Sequence, residues 1–575
     1  MSLPPLANLF AVYDPDPVTS SARLADLRGS GEFRTISPPG PGWIVAVSPL
    51  PGEVNGRHTL PRGAVEFVEG ADLLHDRLPE LCRVVDETPD RLAQFPGDFG
   101  FVRFRLDGSA TAVRSCGGLV PLYVTRSGER MAVATRLGDL VRYGPDEPRL
   151  DPLLNAVWAA GWSLFLEGRT FLAGVSILGR GCFAQLTPGR PIVRAQYWDP
   201  RPRHIERPSP ARANEHVVRL RSLLVAKLER DLDPDGHNLL TLSGGVDSSS
   251  LAALTRQAVG RRFSTWSLLP ENDELFKREM SYIEPLVCGL GVERMRIVRL
   301  RKETHLALLR AAPRAVFYVL HQALCDLPAV LGEGEVRVLF GGEFADEVCG
   351  SRFTIPDWAF GTSLPRLVAG VRRLPLGRHD VVSWAKHRLL GITGRPKLPF
   401  PSALGEFVKA EVAEEYRAWA ADRRRAAGAE PPIKRYLALQ AEKDGFVAMN
   451  WEATSALGVR RSFPFFNREV LELAFECHPS ELVGPGTKKL LRAALANDVP
   501  PRNLHRPDKG HWGGNARALQ VESSGPLPAG LEAVVRPDWY PTPPPLMDLL
   551  TARSLTALAV FAGSLEARRR ERQLS

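Results

Sequence analysis

Residues Leu239–Leu251 read LLTLSGGVDSSSL, and they indicate the fold more directly than any other part of the chain. Apolar and β-prone residues lead into Ser-Gly-Gly, and a helix-compatible stretch, LAALTRQAVG, follows. This order predicts a strand, a tight glycine-containing loop and a helix N-terminus. The free backbone N–H groups and the positive dipole end at such a helix start suit a pyrophosphate group. The stretch therefore predicts a phosphate-binding loop.

The small and acidic residues of this loop each suit such a site. Gly244 and Gly245 let the backbone close on phosphate oxygens. Ser243 and Ser248 add hydroxyl donors, and Asp247 can hold Mg²⁺. The loop differs from the GxxxxGK[ST] phosphate loop because no lysine follows the glycines.

The bulk composition is that of a soluble globular protein with more than one domain. The 575 residues are 44% hydrophobic and 24% charged, which is ordinary for globular chains. The net charge of +9 comes with no compact basic stripe, so we expect an anionic ligand and no nucleic-acid partner. We also expect no signal peptide, no membrane partner and a cytoplasmic location. Seven scattered cysteines without a CxxC pair argue against a disulfide framework or a zinc site.

Two domains are predicted, over residues 1–205 and 206–575. The first is rich in short strand-like runs with Asp-Gly and Ser-Gly turns, which predicts an antiparallel β-sandwich. A proline-rich linker, YWDPRPRHIERPSPAR, follows it. An amphipathic helix over 215–232 then leads into alternating strands and helices. This second pattern predicts a parallel α/β domain with many helices, in which ligands bind at the carboxyl ends of the strands.

A second strand end repeats the design of the first. VLFGGEFADEVCG combines an apolar strand, Gly341-Gly342 and a run of acids. Asp346 is placed to be a second Mg²⁺ ligand, because one aspartate from each of two strand ends can hold one ATP-bound metal cluster.

With these two loops the chain resembles the asparagine synthetase family of the ATP-pyrophosphatase superfamily. Two further segments carry the resemblance: NWEATSALGVRRSFPFFNREV (450–470) and GTKKLLRAALANDVPPRNLHRPDKG (486–510). The N-terminal domain is similar to the family's class II glutaminase domain in FPGDFGFVRF (95–104), GGLVPLYV (117–124) and AVATRLGDLV (132–141). The resemblance implies that ATP is cleaved between its α- and β-phosphates to form an acyl-adenylate.

The same resemblance assigns further residues. Lys509 matches the lysine that meets the phosphates in the adenylation transition state. Lys488 matches a pyrophosphate-binding lysine, although the neighbouring Lys489 leaves the register open by one residue. The positions that line adenine and ribose match Leu242, Ser267 and Gly342.

Departures from the family bear on the choice of nucleophile. Ser2 stands where glutaminase members have a cysteine after the initiator Met, and the usual glutamine-holding motifs are missing. The first domain is therefore expected to be a degenerate glutaminase. Glu452 matches a position that is lysine in asparagine synthetases and glutamate in β-lactam synthetases. Glu343 matches the second catalytic position, which is glutamate in the former and tyrosine in the latter.

Glu452 is a candidate general base, because a buried carboxylate near a second acid can accept an amine proton near neutral pH. Which of Glu343 and Glu452 holds the proton stays open. The alternative for Glu452 is a helix residue in a salt bridge with Arg460 or Arg461.

The overall pattern is most similar to the lasso peptide cyclases, which join a core peptide's N-terminal amine to an Asp or Glu side chain. This resemblance implies ATP and Mg²⁺ as cofactors, and a precursor core peptide, a leader-binding protein and a leader protease as partners. Three alternatives remain. They are a β-lactam synthetase-like enzyme acting on a small amino acid, an ammonia-dependent asparagine synthetase, and a non-catalytic relative that binds nucleotide.

Overall fold

The computed structural model describes residues 8–30, 34–36, 42–48, 64–69, 77–145, 147–159, 166, 168–199, 208–269, 272–299, 336–350, 408–427, 443–455, 457–483 and 487–506. Ser2, Lys509 and half of the proline-rich linker, residues 200–207, lie outside these ranges.

The N-terminal domain contains two antiparallel sheets packed face to face. The first has the strand order β2-β3-β1-β8-β7-β9, and the second has the order β11-β10-β6-β5-β4. The strands are β1 (Asn8–Tyr13), β2 (Arg34–Ile36), β3 (Trp43–Ser48), β4 (Ala64–Glu69), β5 (Gly100–Arg105), β6 (Ala110–Arg114), β7 (Tyr123–Ser127), β8 (Arg130–Ala134), β9 (Val175–Ile177), β10 (Cys182–Leu186) and β11 (Val193–Gln196). Alternate residues of both sheets form one buried core, in which the Trp43 and Phe104 rings lie 4.9 Å apart. The predicted β-sandwich is confirmed.

Helices surround this sandwich. They are α1 (Pro17–Gly29), α2 (Leu78–Glu87), a 3₁₀ helix (Pro89–Gln94), α3 (Leu137–Tyr143) and α4 (Pro152–Ala159). A later helix, α9 (Ala410–Ala427), also packs here, with Val412 and Tyr416 in the same buried cluster as Phe10 and Tyr123. The first domain therefore receives a helix from the second half of the chain.

The second domain is built on a five-stranded parallel sheet of order β14-β13-β12-β15-β16. Its strands are β12 (Asn238–Thr241), β13 (Ser264–Leu269), β14 (Met295–Arg299), β15 (Val338–Gly341) and β16 (Arg460–Ser462). The described helices around it are α5 (Pro210–Asp231), α6 (Val246–Ala253) with a π-helical continuation (Leu254–Ala258), α7 (Asp273–Leu290), α8 (Ala345–Val348), α10 (Lys443–Ser455), α11 (Arg468–Glu476), α12 (Pro479–Leu482), α13 (Lys489–Ala494) and α14 (Pro501–Leu504). The predicted parallel α/β domain is confirmed. The strand β16 was not predicted, because its three residues are polar.

The sheet register brings the two glycine-containing loops together. Strand β12 lies between β13 and β15, and Thr241 is opposite Gly341. Both strands run in the same direction, so the loops that follow them leave from the same edge. Within the described residues, no helix is long and apolar enough to cross a membrane.

Buried ion pairs connect the two domains. The Nζ of Lys227, on α5, lies 2.5 Å from Oδ2 of Asp98 in the N-terminal domain and 3.0 Å from Oδ2 of Asp231. Arg114 on β6 lies 2.8 Å from Asp444 on α10. Removing one member of such a pair leaves a buried charge uncompensated, so breaking either pair should destabilise the contact between the domains.

Candidate active site

The phosphate-binding loop has the predicted strand–loop–helix form. Gly244 has φ +68°, and a Cβ there would lie 2.8 Å from the Cβ of Tyr282. Glycine is thus required both for the backbone conformation and for the close approach of α7. Gly245 is the N-cap of α6. The Ser243 and Ser248 hydroxyls lie 3.2 Å apart, and the Ser243 N–H donates to Ser248 Oγ at 3.1 Å. The loop is therefore held by its own hydroxyl groups.

Two residues that sequence reasoning did not select also hold the loop. The Asn503 amide donates to the carbonyls of Gly244, at 3.1 Å, and Tyr282, at 2.9 Å. Arg506 Nη1 donates to the Ser243 carbonyl at 3.1 Å, and its Nη2 donates to both carboxylate oxygens of Glu279 in a buried ion pair. These contacts use carbonyl oxygens of the loop and none of its amide N–H groups. The only signal in the sequence was that both residues lie within a family-like motif.

The end of β15 packs directly against the start of α6. A Cβ on Gly342 would lie 2.7 Å from the Cβ of Asp247. Phe344 follows with φ +68°, a conformation that is costly for a bulky residue. Its ring stacks on Phe466 at 4.1 Å and meets Phe463 edge-on at 5.0 Å. The aromatic packing stabilises the strained turn that carries the neighbouring acidic residues.

Lys488 lies between the two predicted metal ligands. Its Nζ donates to Asp247 and lies 2.8 Å from an oxygen of Asp346. Burial lowers the pKa of Lys488, but the two carboxylates together outweigh this effect and hold the pKa above its ordinary value. Lys489 instead donates to the Ser480 carbonyl and is exposed. The contact to both aspartates belongs to Lys488, and its assignment as the pyrophosphate-binding lysine stays a prediction.

The donor set around Lys488 fits a magnesium ion. Asp247 and Asp346 offer carboxylate oxygens from two adjacent strand ends, and hard oxygen ligands are those that Mg²⁺ prefers. Both carboxylates are also partly exposed, so a ligand can reach them. Their role as metal ligands stays a prediction.

The two predicted catalytic glutamates have different partners. Arg461 donates to Glu343, whose side chain remains partly exposed. Glu452 is buried and accepts a hydrogen bond from the Leu137 N–H at the start of α3, in the N-terminal domain. The contacts described for these two side chains do not include one between them. Arg461 pairs with Glu343. The alternative for Glu452, a helix residue in a salt bridge with Arg460 or Arg461, stays open.

The surroundings of Glu452 change its acidity. Burial raises its pKa to about 8, and the nearby Asp139 adds to this effect, while Arg136 and the N–H groups of Leu137 and Gly138 oppose it. A carboxyl group with a pKa near neutrality is suited to proton transfer at physiological pH.

The residues predicted to line adenine and ribose lie beside the loop. Gly342 is in contact with Asp247, as described above. The Ser267 hydroxyl donates to the Leu242 carbonyl at 2.7 Å, and both side chains are buried. Their contact with a nucleotide stays a prediction.

The chain belongs to the asparagine synthase family, whose model matches residues 219–523, more than half of the protein. Membership makes it an ATP-dependent ligase that forms amide bonds. No curated protein gives a significant match. Among solved structures, it is similar to an allosteric regulatory enzyme of purine biosynthesis, at 9% identity and a TM-score of 0.24, over 51% of this chain and 80% of the other. The glutamine phosphoribosylpyrophosphate amidotransferase from B. subtilis gives 10% identity and a TM-score of 0.23, over 51% and 81%.

Proposed function

We propose that the protein closes an amide bond within one substrate molecule through an acyl-adenylate, and that this substrate is a core peptide cyclised into a lasso. The observation that carries the adenylation step is the position of Lys488 between Asp247 and Asp346, beside the phosphate-binding loop. A lysine and two metal-binding carboxylates at this edge match what pyrophosphate release from ATP requires.

In the first step, a substrate carboxylate attacks the α-phosphate of ATP, and pyrophosphate leaves. The N–H groups at the start of α6 and the hydroxyl of Ser243 hold the leaving pyrophosphate. Lys488 neutralises part of its charge. Mg²⁺ bound by Asp247 and Asp346 would supply further positive charge on the phosphates. Lys509 is assigned to the same transition state by resemblance.

In the second step, an amine of the same molecule attacks the acyl carbon, and AMP leaves. An amine must lose a proton during this attack, and we assign that proton to Glu452. A pKa of about 8 supports the assignment, because it makes the carboxylate a strong enough base to take the amine proton, and about a tenth of the group is ionised at pH 7. The missing glutamine-holding motifs in the printed sequence also favour a nucleophile other than ammonia released from glutamine.

The proposal is tested by mass spectrometry of leaderless candidate peptides incubated with the full chain, ATP and Mg²⁺. Each peptide carries an N-terminal Gly and an Asp or Glu several residues further on. We expect the loss of one water from the peptide, with AMP and pyrophosphate formed in equal amounts. The matched control peptide has the acceptor acid replaced by its amide, and it should release no pyrophosphate above the peptide-free background.

Other outcomes identify other members of the same class. Water loss from a small β-amino acid, but from no peptide, would favour a β-lactam synthetase-like enzyme. Asparagine formed from aspartate and ammonium would favour an asparagine synthetase. If a leader-binding protein and a leader protease are also supplied and no peptide cyclises, peptide cyclisation is rejected.

A further inference from the structure

Three ligand-type side chains meet outside the ATP site. His216 lies on α5, Cys477 directly follows α11, and Glu481 lies on α12. One ligand atom from each lies within 4.8 Å of the other two. All three residues are at most 6% exposed. We call them the His–Cys–Glu cluster. The spacing of the cysteines in the sequence argued against a zinc site. It gave no sign of this cluster, because only the fold brings the three residues together.

The carboxylate and the thiol of the cluster both lie close to one nitrogen of the imidazole ring. His216 Nδ1 lies 2.8 Å from Glu481 Oε1 and 3.6 Å from Cys477 Sγ. An imidazole nitrogen has either one N–H or one lone pair, both in the ring plane, so it can satisfy only one of these neighbours well. A cation between the three atoms would satisfy all of them at once.

The charge balance of the cluster also favours a cation. His216 Nε2 is buried and has no hydrogen-bond partner within the described part of the chain. Of the described basic side chains, only His216 lies within ion-pair distance of Glu481. No lysine or arginine among them therefore balances the charge of the buried carboxylate, and a bound cation would do so.

The cluster already has the outer support that metal sites show. Glu481 Oε2 accepts a hydrogen bond from the His478 N–H at 2.8 Å, which fixes the carboxylate while Oε1 faces His216. Hydrogen bonds of this kind orient metal ligands in known sites.

We propose that the His–Cys–Glu cluster binds a zinc ion. Thiolate, imidazole and carboxylate together suit Zn²⁺, with water as the fourth ligand. On binding, the Cys477 thiol gives up its proton to solvent. The site is buried and would be structural. It would tie α5 to the segment between α11 and α12, which continues toward Lys488.

The test is the metal content of the full chain after incubation with Zn²⁺ and removal of loosely bound metal, measured by inductively coupled plasma mass spectrometry. We expect about one zinc ion per chain, held by the three protein ligands. The measurement identifies the element, so Mg²⁺ in the ATP site does not interfere. Cys477→Ser should lose most of this zinc. The matched control is Cys288→Ser, because Cys288 is exposed and lies on α7. This variant should keep the zinc.

A second readout does not depend on how well the variants fold. Co²⁺ added to the metal-free wild-type chain should give the intense near-ultraviolet absorption of a cobalt–thiolate bond, and one equivalent of Zn²⁺ should abolish it. Zinc content far below one per chain without the cobalt–thiolate band would overturn the proposal. Equal zinc loss in the Cys477 and Cys288 variants would overturn it too.

Discussion

The protein contains two clusters of the same composition, a lysine between two aspartates, in very different surroundings. In the ATP site, Lys488 contacts Asp247 and Asp346, whose side chains are 22% and 26% exposed. At the domain contact, Lys227 contacts Asp98 and Asp231, which are 9% and 12% exposed. Both lysines are almost fully buried, so the clusters differ chiefly in how far solvent reaches the carboxylates.

The difference in carboxylate exposure suits one cluster to ligand binding and the other to stabilising the fold. Partly exposed carboxylates at strand ends can exchange the lysine for a metal and a phosphate, so the Lys488 cluster is suited to a ligand. The carboxylates around Lys227 are enclosed between the domains, so their charge must be balanced within the protein. There, the pKa of Asp98 is raised by burial, which Lys227 opposes. The pKa of Asp231 is lowered, because Lys227 and Arg230 outweigh the effect of burial.

The largest effect is expected for Asp247→Ala. Removing a metal-binding carboxylate should cost several kcal/mol in the transition state, or at least roughly 10⁴-fold in the rate of adenylation. Substrate-dependent exchange of pyrophosphate into ATP measures this rate. The matched control is Asp98→Asn in the enclosed cluster, which should keep exchange within about threefold per folded molecule. Adenylation that survives in Asp247→Ala would remove this aspartate from the metal site.

The second prediction concerns the lysines. Lys227→Met leaves two buried carboxylates without their shared partner, and the free energy of unfolding should fall by about 3–5 kcal/mol. Lys488→Met leaves carboxylates that water can reach, so its loss should be below about 2 kcal/mol. Urea unfolding followed by circular dichroism gives both values. If Lys488→Met proved the more destabilising of the two, the exposure of the carboxylates would not explain the difference between the clusters.

Local patterns in the sequence predicted that Asp247 and Asp346 of the Lys488 cluster lie close together. They gave no sign of the Lys227 cluster. Each of the two loops that carry Asp247 and Asp346 follows an apolar strand, and its glycine and aspartate residues lie close together in the sequence. The enclosed cluster pairs Asp98 with Lys227, which is 129 residues further on. Glu452 was selected by resemblance, but its partner Leu137 lies 315 residues away. Such pairs depend on how the domains dock, which strand and helix patterns do not encode.

The third prediction concerns the pH dependence of stability. The pKa of Glu452 is raised from 4.5 to about 8 in the folded state, so between these values the folded chain binds a proton that the unfolded chain has lost. Stability therefore falls as pH rises from about 5 to about 8, by on the order of 2–4 kcal/mol from this group. Glu452→Gln should remove this part of the slope and be the more stable protein at pH 8 to 9.

Denaturant unfolding of both proteins across this pH range gives the difference directly. Asp139→Asn is the partner variant: it removes a neighbouring negative charge and should reduce the slope without abolishing it. Parallel curves for wild type and Glu452→Gln would show that Glu452 titrates normally, and they would weaken its assignment as the base. The same substitution should spare pyrophosphate exchange and stop ring closure.

The smallest effect, on ATP affinity, is expected at Arg506, which supports the phosphate-binding loop through its Ser243 carbonyl. Its guanidinium reaches the Ser243 carbonyl and both oxygens of Glu279 at once, and lysine cannot reproduce that geometry. In Arg506→Lys the loop loses one anchor, while all its phosphate-facing groups remain. Affinity for MgATP should fall roughly tenfold, or about 1.4 kcal/mol, by calorimetric titration. Arg502→Lys is a close control, because Arg502 faces the same Tyr282 ring but is exposed and donates to Ser281. Equal losses in both variants would attribute the effect to charge near the site, whereas a loss confined to Arg506 would show that the loop must be held in shape before ATP arrives.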